Sequence, residues 1–165
     1  LEIIKHANSL GHLSGKVVDL GCGTGRLAIG AAILGADVTG YEIDEEALEQ
    51  AKNYSKKHNL SITWSNKAIE NIEKKYDTVI MNPPFGSQRP GADRIFLKKA
   101  LEISDNIWSI HMAETKKFVE EFVELNSGNI VSAYEFNLSL KKTMPFHTKD
   151  INNQKAILYH IASLR

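Results

Sequence analysis

An α/β protein, doubly wound around a mostly parallel sheet, is predicted by three features of the 165-residue sequence. Five short apolar runs alternate with stretches of helical periodicity. A glycine-rich turn follows the first of those runs. Two longer β-rich runs then close the chain with no helix-length pattern between them, so they should pair antiparallel as a C-terminal hairpin. Seven strands are expected in all, with the hairpin as an antiparallel edge.

Leu1, Ile4, Ala7 and Leu10 recur at near-helical spacing, which predicts a short amphipathic helix within residues 1–14 that packs on the body. Gly15-Lys16 leads into Val17-Val18-Asp19-Leu20, the first strand, and then into Gly21-Cys22-Gly23-Thr24-Gly25. A helix should follow through Leu27, Ala28, Ala31, Ala32 and Leu34, closed by Gly35. Strand, glycine turn and helix together make a nucleotide-type site for phosphate or ribose. A tight turn that only lets helix pack on strand would look the same.

Asp37 to Tyr41 reads as the second strand, with Glu42 at its tip. An acid there can accept from the hydroxyls of a bound ribose. Asp44 should cap the next helix, whose Ala47, Leu48, Ala51 and Tyr54 share one face. Glu45, Glu46 and Glu49 read as solvated charges at its positive end. Ser61 to Ser65 is the third strand and leaves Asn66 at its end, where an amide could meet an adenine edge or serve the turn.

The fourth strand, Tyr76 to Met81, runs into Asn82-Pro83-Pro84-Phe85. The prolines forbid further ladder hydrogen bonds and donate none themselves. Asn82 thus falls at a strand's C-terminal end, where open α/β sheets place their ligands. Its side-chain oxygen and the Pro83 carbonyl could accept both hydrogens of a planar amino group, with Phe85 stacked on the attached ring. A proline turn capping a core strand is the plain alternative. Residues 86–92 read as a mobile loop able to fold over substrate, and Asp93 as the cap of a helix whose Phe96, Leu97, Ala100 and Leu101 face the core. Ile107 to Ile110 is the fifth strand. A helix over Thr115–Leu125 follows, broken by Ser127-Gly128-Asn129. The final runs are Ile130–Leu140 and Ala156–Ala162.

Bulk composition narrows the function classes. Hydrophobic residues make up 42% and charged residues 24%, with zero formal net charge, as in a globular protein with no whole-molecule basic field. Nucleic-acid binding would need a local patch or a partner subunit; Lys141, Lys142 and Lys149 could contact phosphates, and a solvated loop reads equally well. The single cysteine, Cys22, rules out an intramolecular disulfide and a cysteine-based zinc site, and fits a reducing, cytoplasmic setting. No membrane span or signal peptide is visible. One domain over residues 1–165 is expected. His111 and His147 read as structural or surface residues.

Two nucleoside cofactors fit the glycine turn and the strand-tip acid. A dehydrogenase would also need an acid–base residue near the strand ends. The fourth strand offers neutral acceptors and an aromatic ring instead. S-adenosylmethionine suits these better, with Asp19 placed to answer its ammonium group.

Asp19-Leu20-Gly21-Cys22-Gly23-Thr24-Gly25 resembles motif I of the class I, Rossmann-like S-adenosylmethionine-dependent methyltransferases. Asn82-Pro83-Pro84-Phe85 resembles motif IV of those that methylate planar amino nitrogens. More narrowly, the chain is similar to the methyltransferase-like-protein-five family and its archaeal relatives, which methylate N6 of an adenine in small-subunit ribosomal RNA. That likeness runs through Val79 to Gly86, Phe96 to Leu101, Trp108 to His111 and Pro145-Phe146-His147. It implies that Gly21, Gly23 and Thr24 line the cofactor, that Glu42 holds its ribose with Ile43 beside it, and that Asn66 stands where the family usually has an adenine-reading Asp. It also implies RNA as substrate and a small zinc-binding activator subunit as a partner. The family's cofactor-covering segment, with Gln and Thr ahead of the first strand, is not visible here. The chain starts at Leu1 rather than Met, so native residues upstream are expected. Guanine-N2 methylation of ribosomal RNA, glutamine methylation of a protein, and an inactive cofactor-binding assembly subunit remain as alternatives.

Overall fold

In a computed structural model, which describes residues 2–84, 91–139 and 153–165, strand and helix alternate as far as residue 125. Helix α1 (Glu2–Ser9) precedes β1 (Lys16–Leu20), α2 (Arg26–Ile33), β2 (Asp37–Tyr41), α3 (Glu45–Lys57) and β3 (Ile62–Ser65). A short 3-10 turn at Ile69–Asn71 leads to β4 (Thr78–Met81), α4 (Ala92–Ile103) and β5 (Asn106–Met112). A second such turn, Ala113–Thr115, precedes α5 (Lys116–Leu125), β6 (Gly128–Ser139) and β7 (Asn153–Ser163). Leu1, Phe85, residues 86–90 of the expected loop, Leu140, Lys141, Lys142, Pro145, Phe146, His147 and Lys149 lie outside the described residues.

The seven strands form one sheet in the order β3-β2-β1-β4-β5-β7-β6. β1 to β5 are mutually parallel, and β7 runs antiparallel to both β5 and β6. The chain winds outward from β1 to β3, then crosses back to lay β4 on the other side of β1. That reversal is a switch point, and a crevice opens beyond the strand ends there. Leu20 pairs with Met81 across it, so the residues that follow each strand, Gly21 and Asn82, emerge side by side.

The expected hairpin forms, but the last strand does not sit at the edge. β7 fills the place between β5 and β6, leaving β6 outermost. Side-chain chemistry explains the choice. Ala156 to Ile161 is buried throughout, as a strand covered on both faces must be. β6 keeps Val131 and Tyr134 exposed and suits an edge.

Each face of the sheet has its own core. Val18, Leu20, Val79, Met81, Ile107 and Tyr159 pack with α4 and α5 on one side. Val17, Ile80, Trp108 and Leu158 pack with α1 and α2 on the other. Several boundaries differ from expectation by a few residues, and three of the differences have a clear physical cause. α1 stops at Ser9, because Gly11 turns the chain through φ 73°, and Leu10 is left 55% exposed instead of joining the packed face. α4 is entered through Gly91 in the left-handed region; Asp93 lies within its first turn, buried, and does not cap it. β5 runs on to Met112 because β7 supplies ladder partners that far. Asp44 does cap α3, its Oδ1 accepting from the backbone N–H groups of Glu46 and Ala47. Among the described residues no helix is long and apolar enough to cross a membrane.

Candidate functional site

Two aromatic rings crowd the glycine turn. Gly21 has φ 65°, and a Cβ there would fall 2.8 Å from the Phe96 ring. Gly25 has φ 81°, and a Cβ there would fall 2.6 Å from the Trp64 ring. Both positions therefore exclude side chains on conformational and steric grounds. Gly25 provides no side-chain cap for α2. Asp19 does so from within the sheet: its Oδ2 accepts the Ala28 N–H at 2.9 Å. Asp19 is 1% exposed, and burial pushes its carboxyl up to about 7, with the nearby Glu42 carboxylate adding to the rise. Here Asp19 anchors α2 and does not line the cleft described below. Thr24 is exposed at the turn and likewise lines no part of that cleft.

Glu42, at the tip of β2, is held by three backbone donors. Its Oε2 accepts from Gly23 at 2.8 Å, and its Oε1 from Ile43 at 2.8 Å and Asp44 at 2.9 Å. A carboxylate offers about four acceptor positions, so one remains for a ligand hydroxyl. Asn66 fixes the same tip from the neighbouring strand. Its Nδ2 donates to the carbonyls of Glu42 at 3.0 Å and Ile43 at 3.1 Å, and its side-chain oxygen has no hydrogen-bond partner among the described residues. Strand tip, glycine turn and Asn66 thus form one hydrogen-bonded unit.

A cleft of about 320 Å³ opens above this unit, and Gly21, Glu42, Ile43, Asn82, Pro84 and Phe96 line it. It brings the two motifs together, as the pairing of β1 with β4 requires. Asn82 is exposed and Pro84 half-buried, while Pro83 is buried and not among the lining residues. Phe85 lies outside the described residues. Expectation from sequence missed the contribution of α4, where Ala92 and Ile95 accompany Phe96 from the first turns. Phe96 obeyed helical periodicity and so read as core; it is half-buried and shared between core and cleft. The floor was missed too. Lys67, Ala68, Ile69 and Glu70 come from an irregular stretch whose sequence has no period to betray it. Tyr41 also lines the cleft, its hydroxyl held by that of Tyr76 at 3.0 Å.

His111 takes no part in the cleft. It is 2% exposed and bonded through Nε2 to the Ser109 hydroxyl at 2.7 Å, and burial pushes it down to about 4, so it stays neutral. Among the described residues the cleft offers hydrogen-bond acceptors, two carboxylates, one lysine and an apolar wall, without a histidine. Such a set can hold a nucleoside and position an amine. It suits group transfer by alignment better than transfer driven by a strong base.

Comparison with known proteins agrees with this chemistry. A family model described as a methyltransferase small domain matches residues 3–107. An uncharacterized protein of Methanocaldococcus jannaschii is 40% identical over 161 residues, covering 90% of this chain and 74% of that one. The rRNA N(6)-adenosine-methyltransferase METTL5 of Danio rerio is 32% identical over 151 residues, covering 86% of this chain and 73% of its own length. The crystal structure of a Pyrococcus horikoshii protein, provisionally named an RNA methyltransferase, superposes with a TM-score of 0.90 at 34% identity, covering 99% of this chain and 82% of that one.

Proposed function

The chain belongs to the methyltransferase small-domain family, and we propose that it methylates the exocyclic N6 of an adenine in RNA, most specifically in small-subunit ribosomal RNA. One observation carries the reading: Asn82 lines a single cleft with Gly21 of the glycine turn and Glu42 at the β2 tip, so the residues read as amine acceptor and nucleoside site share one space. The name of the METTL5 relative supports adenine N6 as the target atom and ribosomal RNA as the substrate class.

S-adenosylmethionine is the methyl donor, and the described residues fit it. A Cβ at Gly23 would meet nothing within 4 Å, so the turn leaves open space beside the Glu42 carboxylate. Glu42 would accept one ribose hydroxyl directly; a second would compete with the Gly23 N–H. Asn66, with its amide hydrogens engaged, would offer only its oxygen to the adenine amino group. Ile43, 57% exposed, would cover one face of that base. Asp19, once ionised, would favour the cofactor's ammonium group through the turn.

When bound, the cofactor supplies an electrophilic methyl group. The chain's own residues do the rest by position. Asn82 Oδ1 and the Pro83 carbonyl would accept the two amine hydrogens of the target base and turn the nitrogen lone pair toward the methyl group. Phe85 would stack on the base. The nitrogen becomes cationic as the new bond forms and loses its proton afterwards, so neutral acceptors suffice and no strong base is required. A small zinc-binding activator subunit is part of the proposal, because the neutral chain has no basic field of its own to attract RNA.

Incubation of the chain with methyl-labelled S-adenosylmethionine and purified small-subunit RNA, with and without the activator, tests the reading. Label should appear in N6-methyladenosine on nucleoside analysis. Label in N2-methylguanosine or in protein glutamine would move the substrate assignment. Absence of label from both RNA and protein would overturn the enzyme assignment and favour an inactive assembly subunit.

A further inference from the structure

We infer that Phe96 is a cofactor-binding residue whose ring favours the sulfonium cation of the methyl donor over the neutral thioether left after transfer. The inference deepens the functional reading above and rests on it. Phe96 lines the cleft from α4. Its ring lies against the glycine turn, with Cε1 2.8 Å and Cζ 2.9 Å from where a Gly21 Cβ would stand. Asn82 and Pro84 border the same space.

Chemistry then narrows where the charge must lie. A methyl carbon that reaches an amine held at Asn82 has to approach it to roughly 3–3.5 Å. The sulfur that carries the carbon is one bond further back, toward the glycine turn. Phe96 lines this cleft against Gly21, and Gly21 follows the strand that pairs with the one leading to Asn82. An aromatic face within about 6 Å attracts a cation through its quadrupole, and a thioether more weakly. Tyr41, the other aromatic lining residue among those described, directly precedes Glu42 and has its hydroxyl tied to Tyr76. Glu42 and Glu70 also attract positive charge in this cleft, but a change at residue 96 leaves both in place.

Calorimetric titration of the whole chain with S-adenosylmethionine and, separately, with S-adenosylhomocysteine tests the role without any turnover. Phe96→Leu should weaken binding of the sulfonium form about fivefold more than binding of the thioether. Equal weakening of the two, or none, would overturn the proposal and leave Phe96 as an apolar wall. Should the leucine variant fail to fold, as read from its thermal transition, a trifluorinated phenylalanine at position 96 keeps the shape and depletes the ring face. Selective loss of the cationic ligand is again expected, and an unchanged ratio overturns the inference. A wild-type chain that binds neither ligand refutes the cofactor itself, and the role of Phe96 falls with it.

Discussion

Glu42 Oε2 accepts the backbone N–H of Gly23 at 2.8 Å, tying the tip of β2 to the glycine turn after β1. The bond joins residues 19 apart in sequence and closes one side of the cleft. Together with the Ile43 and Asp44 contacts, it makes this acid a structural strut as well as a ligand acceptor.

Replacement of Glu42 by glutamine should therefore act twice. The amide nitrogen would face a backbone N–H, so one donor loses its partner, at about 1 kcal/mol of stability on this partly exposed tip. S-adenosylmethionine affinity should fall by roughly tenfold or more, the scale of a lost charge-assisted hydrogen bond. Calorimetry and urea unfolding read the two effects separately. An unchanged titration curve would remove Glu42 from the ribose site.

Asn82 is exposed, and its side chain makes no hydrogen bond among the described residues, so its loss should spare the fold. Asn82→Ala is expected to leave cofactor affinity within about twofold and thermal stability unchanged, while methyl transfer drops by roughly a hundredfold or more, as for other removed positioning groups. Near-normal turnover in single-turnover assays would refute the amine-acceptor role.

At position 66 the family resemblance and the geometry make opposite forecasts. Aspartate there would give the adenine amino group a stronger acceptor. Asn66 here donates to two carbonyls, of Glu42 and Ile43, and an ionised aspartate can donate to neither. Asn66→Asp should destabilise the chain by about 1 kcal/mol and weaken cofactor binding by loosening the β2 tip. Tighter binding in this variant would mean that the base contact outweighs the strut.

Asp19 and His111 tilt stability in opposite directions with pH. An unfolded aspartate titrates near about 3.9, whereas burial holds the folded Asp19 at about 7. Between those values the folded state keeps a proton that the unfolded state has lost, so stability falls as pH rises and the full cost is present above pH 7. His111 is pushed down to about 4 from the usual imidazole value near about 6.5. Over that interval the unfolded state takes the proton first, so stability rises with pH. Asp19→Asn keeps an acceptor for the Ala28 N–H and removes the first slope. Urea unfolding of this variant should show stability rising across roughly pH 4 to 6.5, where the wild type stays flatter. Above pH 7 the variant should exceed the wild type by up to a few kcal/mol. Parallel profiles for the two proteins would refute a raised Asp19 pKa.

Much of the site was legible where local chemistry leaves little choice. The turn at Gly21 to Gly25 follows a β-branched strand, Glu42 ends another, and Pro83-Pro84 stops a third. Each signal is confined to a few consecutive residues, so reading the chain in one dimension suffices. Phe96 escaped notice because a helical period reports that a residue faces inward, without saying whether core or cleft lies there. Ile69 and Glu70 escaped because a cleft floor made of irregular chain has no period at all.

By itself, then, the sequence determined which segments become strands and helices, because alternation, glycine, proline and caps act over a handful of residues. Only the tertiary structure decided that Gly21 and Asn82 meet, since that follows from laying β4 against β1. It also decided that the final strand lies inside the sheet and that the Phe96 ring fills the space a Gly21 side chain would need. Those outcomes depend on which surfaces bury best against one another across the whole chain, a comparison that no local stretch contains.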